Sequence, residues 1–160
     1  MSERRWHVDR SPPLSRIEMT IKLAAFGVAY AAFVSAIARS AEPTAWGARP
    51  IAQIVILGVL GLGLIAAIWG RWRRRDVVSM IFVLLSNAAH WGLLAALLRT
   101  PSAHSKLVIF AALMWFGDAM KVLSFHVRPL PVRDLSPAAG TALTGIFVVG
   151  YMAICLLESL

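Results

Sequence analysis

The sequence predicts an all-α integral membrane protein, a bundle of five transmembrane helices, and three observations lead there. Of its 160 residues 59% are hydrophobic, with a mean hydropathy of +0.72, against about 45–50% apolar usage in soluble domains. The apolar residues fall into runs of about 20, the length that crosses a bilayer as a helix. Basic residues gather in alternate connecting segments, the asymmetry of a chain threaded back and forth through a membrane. The expected spans are residues 17–38, 51–69, 77–98, 106–125 and 138–157, with a cytoplasmic N-terminus and the C-terminus outside. Residues 1–16 form a cytoplasmic basic arm, and residues 17–160 a single transmembrane helical-bundle domain. Four spans are the main alternative, if the first run lies in the interface or is a cleaved signal; Ala36-Ile37-Ala38 resembles a small-residue cleavage site.

The first span is entered through a capping box. Ser15 precedes Glu18 by three residues, so the hydroxyl caps a backbone N–H and Glu18 reaches back. Lys22 then pairs with Glu18 at i,i+4 and snorkels to the inner interface. Residues 39–50 carry Pro43, Gly47 and Pro50 around Trp46, a loop with an aromatic interface anchor. The second span contains no charge and is rich in glycine. Gly63 with Ala67, and Ala66 with Gly70, have the spacing that lets another helix approach closely.

The stretch from Trp69 to Asp76 fixes the orientation, because Arg71, Arg73, Arg74 and Arg75 crowd one short connection. They are also the candidates for binding anionic lipid headgroups. Asp76 is the expected N-cap of the third span. Ser102 or Ser105 caps the fourth after the turn at Pro101, and Ser136-Pro137 supplies cap and first turn for the fifth. The loop between the last two spans, with Arg128 and Arg133, belongs on the inner side.

The formal charge of +8 is thereby absorbed by topology, so nucleic acid is not an expected partner. The lipid bilayer is the expected environment, in a bacterial cytoplasmic (inner) membrane. Other membrane subunits, or self-association through the glycine-rich second span, are the expected contacts. Cys155 is the only cysteine, which leaves no intramolecular disulfide and no CxxC site.

Ionisable groups in mid-span are costly, so they face the bundle interior and find partners. Asn87, His90, Asp118 and Lys121 are the residues that meet this description. Asn87 and His90 share one face of the third span, Asp118 and Lys121 one face of the fourth. The short turn between these spans makes them antiparallel neighbours, so the four residues form a polar seam in which Lys121, Asn87 or His90 satisfies Asp118. Trp91 and Trp115, in mid-span rather than at an interface, are candidates for an apolar ligand cavity. No cofactor or metal is expected: His90 alone of the histidines lies well within a span, which excludes bis-histidine haem, and no HExxH spacing occurs.

Three functions fit. A non-catalytic subunit or assembly factor of a membrane complex suits the small size and minimal loops. A small oligomeric carrier or channel for protons, cations or a small solute would use Asp118 and His90. A lipid-binding or lipid-active enzyme comes last, since no second carboxylate or nucleophile accompanies Asp118 in the seam.

Overall fold

The computed structural model describes residues 13–39, 47–127 and 137–159. They form five long helices: α1 (Pro13–Ala38), α2 (Ala48–Arg74), α3 (Val77–Arg99), α4 (His104–Val127) and α5 (Pro137–Glu158). Each is long and apolar enough to cross a membrane. Among the described residues there is no strand, and the chain is a small polytopic membrane protein of the expected class.

Several boundaries differ from expectation. α1 begins at Pro13, whose fixed φ suits a first helical turn, so Ser15 already lies inside the helix and is not its N-cap. Glu18 is thereby released from any capping role. α2 runs through Arg71 and on to Arg74, so most of the arginine segment is helical. It stops at Arg75, which adopts φ 57° and donates its N–H to the carbonyls of Arg71 and Trp72. Asp76 caps α3 as anticipated: Oδ1 accepts from Val78 N at 3.1 Å and Ser79 N at 3.3 Å, and Oδ2 from the Ser79 hydroxyl. α4 needs no serine cap, because a 3-10 turn (Pro101–Ala103) runs directly into it. The expected cap at Ser136, the anchor Trp46, Arg128 and Arg133, and the basic arm before Pro13 lie outside the described residues.

The helices close into a ring in the order α1, α4, α5, α2, α3 and back to α1. The contact between α1 and α4 is the most extensive. α3 and α4, consecutive in sequence, do not pack side by side along their lengths but face each other across the ring, which corrects the expected hairpin. Successive spans run in opposite directions, so an odd-membered ring must contain one parallel neighbour pair. Here it is α1 with α3.

Aromatic rings sit on glycines to tighten two of these contacts. Trp91 lies over Gly61, where an added Cβ would come within 3.2 Å of the indole, and Phe147 lies over Gly63, at 3.1 Å. Gly61 and Gly63 thus serve contacts with α3 and α5 inside the chain, whereas Gly58 and Gly70 have open space where a Cβ would stand.

The largest fully buried side chains include Leu57, Leu93, Leu97, Leu107, Phe110 and Ile154. They occupy the half of the ring away from the α2–α3 turn, called here the far half; the half beside that turn is the arginine half. Lipid is as apolar as leucine, so this packing gains dispersion rather than hydrophobic free energy, and polar contacts carry much of the choice of neighbours.

Candidate functional site

The arginine half holds a buried charge cluster built on α1 and α4. Lys22 projects from α1 toward α4, where Gly117 leaves room for its stem; a Cβ on Gly117 would fall 2.8 Å from Lys22 Cγ. Lys22 Nζ donates to Asp118 Oδ1 at 2.5 Å and to Glu18 Oε1 at 2.9 Å. Lys121 Nζ stands 3.9 Å from the same Glu18 oxygen. Glu18, Lys22 and Asp118 are 6%, 5% and 4% exposed, while Lys121 is half-buried toward the arginine end. The two lysines and two carboxylates are matched in number with every charge adjacent to an opposite one, and Arg71 of α2 lies within electrostatic reach of Glu18 and Lys121. That balance is what permits four charges in one apolar bundle, since an unpaired buried ion would cost several kcal/mol.

Three side chains extend the polar interior beyond the cluster. Asn87, on the buried face of α3, donates Nδ2–H to the carbonyls of Leu64 on α2 at 3.1 Å and Val83 at 2.9 Å. Its Oδ1 is buried with no hydrogen-bond partner. One turn further along α3, His90 is 1% exposed. Its Nδ1 is 2.7 Å from the Ser86 carbonyl, which can only accept, so Nδ1 carries the proton and Nε2 is the acceptor. The Tyr151 hydroxyl of α5 donates to that Nε2. Phe110 packs edge-on against the imidazole, with ring centroids 4.9 Å apart. Asp118 lies within electrostatic reach of the Tyr151 phenol, and Lys22 within reach of His90.

A second polar group closes the far end. Gln53, fully buried on α2, donates Nε2–H to Ile154 O at 3.0 Å and, more weakly, to Glu158 Oε2 at 3.4 Å. Its Oε1 accepts from His104 Nε2 at 2.9 Å. Between Gln53 and His90 the ring is filled by the leucines and Phe110.

Of the residues singled out in the sequence, Asn87, His90 and Asp118 all line the ring interior, but Asp118 pairs with Lys22 rather than with Asn87, His90 or Lys121. Lys121 pairs with Glu18 instead. Trp91 packs on Gly61, and Trp115, 38% exposed, lies against Phe116 on the outer surface. Neither lines the open groove of about 580 Å³ that apolar residues of α2 and α5 form. Arg73 stacks on Trp69 and Arg75 on Trp72 at the end of α2.

Sequence reasoning missed Glu18, Lys22 and Tyr151. Glu18 and Lys22 looked self-sufficient as an i,i+4 pair near a span end. Tyr151 carried a usable signal, because a tyrosine far from either interface needs a partner for its hydroxyl. Among the described residues no group of three or more His, Cys, Asp or Glu side chains is arranged to hold a metal. Comparison with known families, curated proteins and solved structures found no match, so function is argued from this geometry alone.

Proposed function

We propose that the protein is a small carrier that moves protons or a small cation through the interior of the five-helix ring, with Asp118 at its centre. The observation that carries this is the placement of Lys22 Nζ between Glu18 and Asp118, all three enclosed. Buried ion pairs contribute little net stability over apolar packing, and ionisable residues inside membranes mark ion and proton pathways. Four such groups exceed what is needed to hold two helices in register. The cluster reaches the arginine end through half-buried Lys121, while the leucine and phenylalanine layer separates it from the far end. That asymmetry is the one expected of a carrier resting closed on one side. The arginine end is taken as cytoplasmic, by the positive-inside bias, in a bacterial inner membrane.

The test is flux. Proteoliposomes carrying an imposed proton gradient, with Na⁺, K⁺ or methylammonium present, should dissipate it faster than protein-free vesicles. Asp118→Asn should return the rate to that of protein-free vesicles, and equal rates for variant and wild type would remove Asp118 from the mechanism.

A second reading, a non-catalytic subunit of a larger membrane complex, is favoured by α2. That helix presents Val55, Val59, Leu62 and Ile65 outward beside the groove it forms with α5. Gentle extraction at native expression should then yield a heteromeric species.

A further inference from the structure

We infer that the groove between α2 and α5 seats an acyl chain of one phospholipid, whose anionic headgroup is bound by Arg73. The site lies on the outer face of the ring, where Val55, Val59, Ile146 and Val149 are all more than half exposed, and it does not depend on the carrier reading.

The groove has the depth of the acyl chains of a single leaflet. Its α5 wall runs from Ala142, five residues into the helix, to Gly150, thirteen residues in. At about 1.5 Å per residue these lie about 8 and about 20 Å from the arginine end. α2, with 27 residues, is about 40 Å long, so it overhangs a hydrocarbon core of about 30 Å by about 5 Å at each end. The α5 wall therefore runs from just inside the hydrocarbon boundary to the midplane. Small residues make the cleft: Leu60 packs on Gly150, where an added Cβ would come 2.9 Å from Leu60 Cδ2, and Gly145 has open space where a Cβ would stand. Its apolar lining offers water no hydrogen-bond partner, so a hydrocarbon chain is the occupant whose dispersion contacts fill it.

Charge complementarity at one end of the groove selects the headgroup. Arg73 follows Val55 by eighteen residues, five full turns at 3.6 residues each, so it stands on the same face of α2 as the groove wall. Ala66 and Gly70 lie between them on that face, exposed and small. The Arg73 guanidinium is 5.1 Å from the centroid of the Trp69 ring, which is itself 61% exposed, and an exposed tryptophan at a span end marks headgroup level. Stacking uses the flat face of the guanidinium and leaves its N–H edge for the paired oxygens of a phosphate. A second copy of the chain fits this face poorly. Copies inserted with one orientation are related by an axis along the bilayer normal, so the two Arg73 charges would meet at one depth.

The test is native mass spectrometry of the full-length protein in mild detergent, titrated with phosphatidylglycerol or with phosphatidylcholine of identical chains. One phosphatidylglycerol should bind per chain, at least about fivefold more tightly than phosphatidylcholine, since a basic residue beside an anionic headgroup is worth about 1 kcal/mol. Arg73→Gln should lower that preference about fivefold, whereas Arg49→Gln, the same charge change at the opposite end of α2, should leave it unaltered. Gly145→Leu fills the groove and should weaken binding of both lipids, and soluble glycerol phosphate should not compete. Equal affinity of wild type for the two lipids, a preference undiminished in Arg73→Gln, or undiminished binding by Gly145→Leu would overturn the inference. Competition by glycerol phosphate would also overturn it, by reducing the site to a headgroup contact without the groove. So would an oligomer, with a second copy or a different protein, that Gly145→Leu dissociates, because the groove would then belong to that partner.

Discussion

Replacing Lys22 by Met and Asp118 by Asn, singly and together, measures how far the buried charges act as one unit. Among Glu18, Lys22, Asp118 and Lys121 the charges are matched in number; Lys22→Met leaves these four with one excess negative charge and Asp118→Asn with one excess positive. Breaking a buried pair from one side costs about 3–5 kcal/mol. The two single variants are not equivalent. In Asp118→Asn, Lys22 keeps its 2.9 Å contact with Glu18. In Lys22→Met, Asp118 loses its bonded cation, while Glu18 keeps Lys121 at 3.9 Å and Arg71 within electrostatic reach. Lys22→Met should therefore be the more damaging, toward 5 kcal/mol, and Asp118→Asn nearer 3. The double variant restores the match, with Glu18 facing Lys121, and should be less destabilised than the sum of the singles by about 2 kcal/mol or more. In a chain of this size each kcal/mol shifts the midpoint by about 2–4 °C, so the singles should fall by about 6–20 °C in detergent. Additive losses, with coupling below about 0.5 kcal/mol, would show that the four charges do not neutralise one another and would refute the reasoning.

Gly117→Ala should act on the same cluster without altering its charge. The new methyl would lie 2.8 Å from Lys22 Cγ, near the base of the side chain, so the stem must shift. A loss of about 1–3 kcal/mol in detergent thermal melts is expected, whereas an unchanged midpoint would mean that Lys22 does not lie against α4. Tyr151→Phe removes the donor to His90 Nε2 and leaves that nitrogen buried and unpartnered, a cost of about 1–3 kcal/mol. The imidazole Nε2 resonance in nitrogen-15 spectra should move in this variant, and an unmoved signal would contradict the assigned tautomer.

The number of helices and their spanning character were legible because length and hydropathy are local properties. Asp76 was legible too, since a cap depends on residues two and three places away. Neighbour relations were not. The short turn at Pro101 made α3 and α4 look like a packed hairpin, yet the ring places them across from each other, and nothing local in either helix announces that α1 will stand between them. Lys22 was misassigned by a boundary: starting α1 at Pro13 rather than residue 17 sets it about 6 Å deeper, beyond the reach of snorkelling. Asn87, His90 and Asp118 were recognisable because a polar group in mid-span has a cost that does not depend on its partner. The partner itself, 96 residues away in the case of Lys22 and Asp118, is tertiary information.

The ring order also bears on how the chain is assembled. Of the five helices α1 is synthesised before the rest, yet the two that flank it, α3 and α4, follow after one and two intervening spans, and it does not pack along α2, the next to emerge. Until α4 arrives, Lys22 has no Asp118. The i,i+4 contact with Glu18 gives Lys22 an opposite charge on its own helix before the ring closes. Glu18 is therefore the carboxylate that Lys22 has from the moment α1 is helical, whereas Asp118 is reached only when the ring closes.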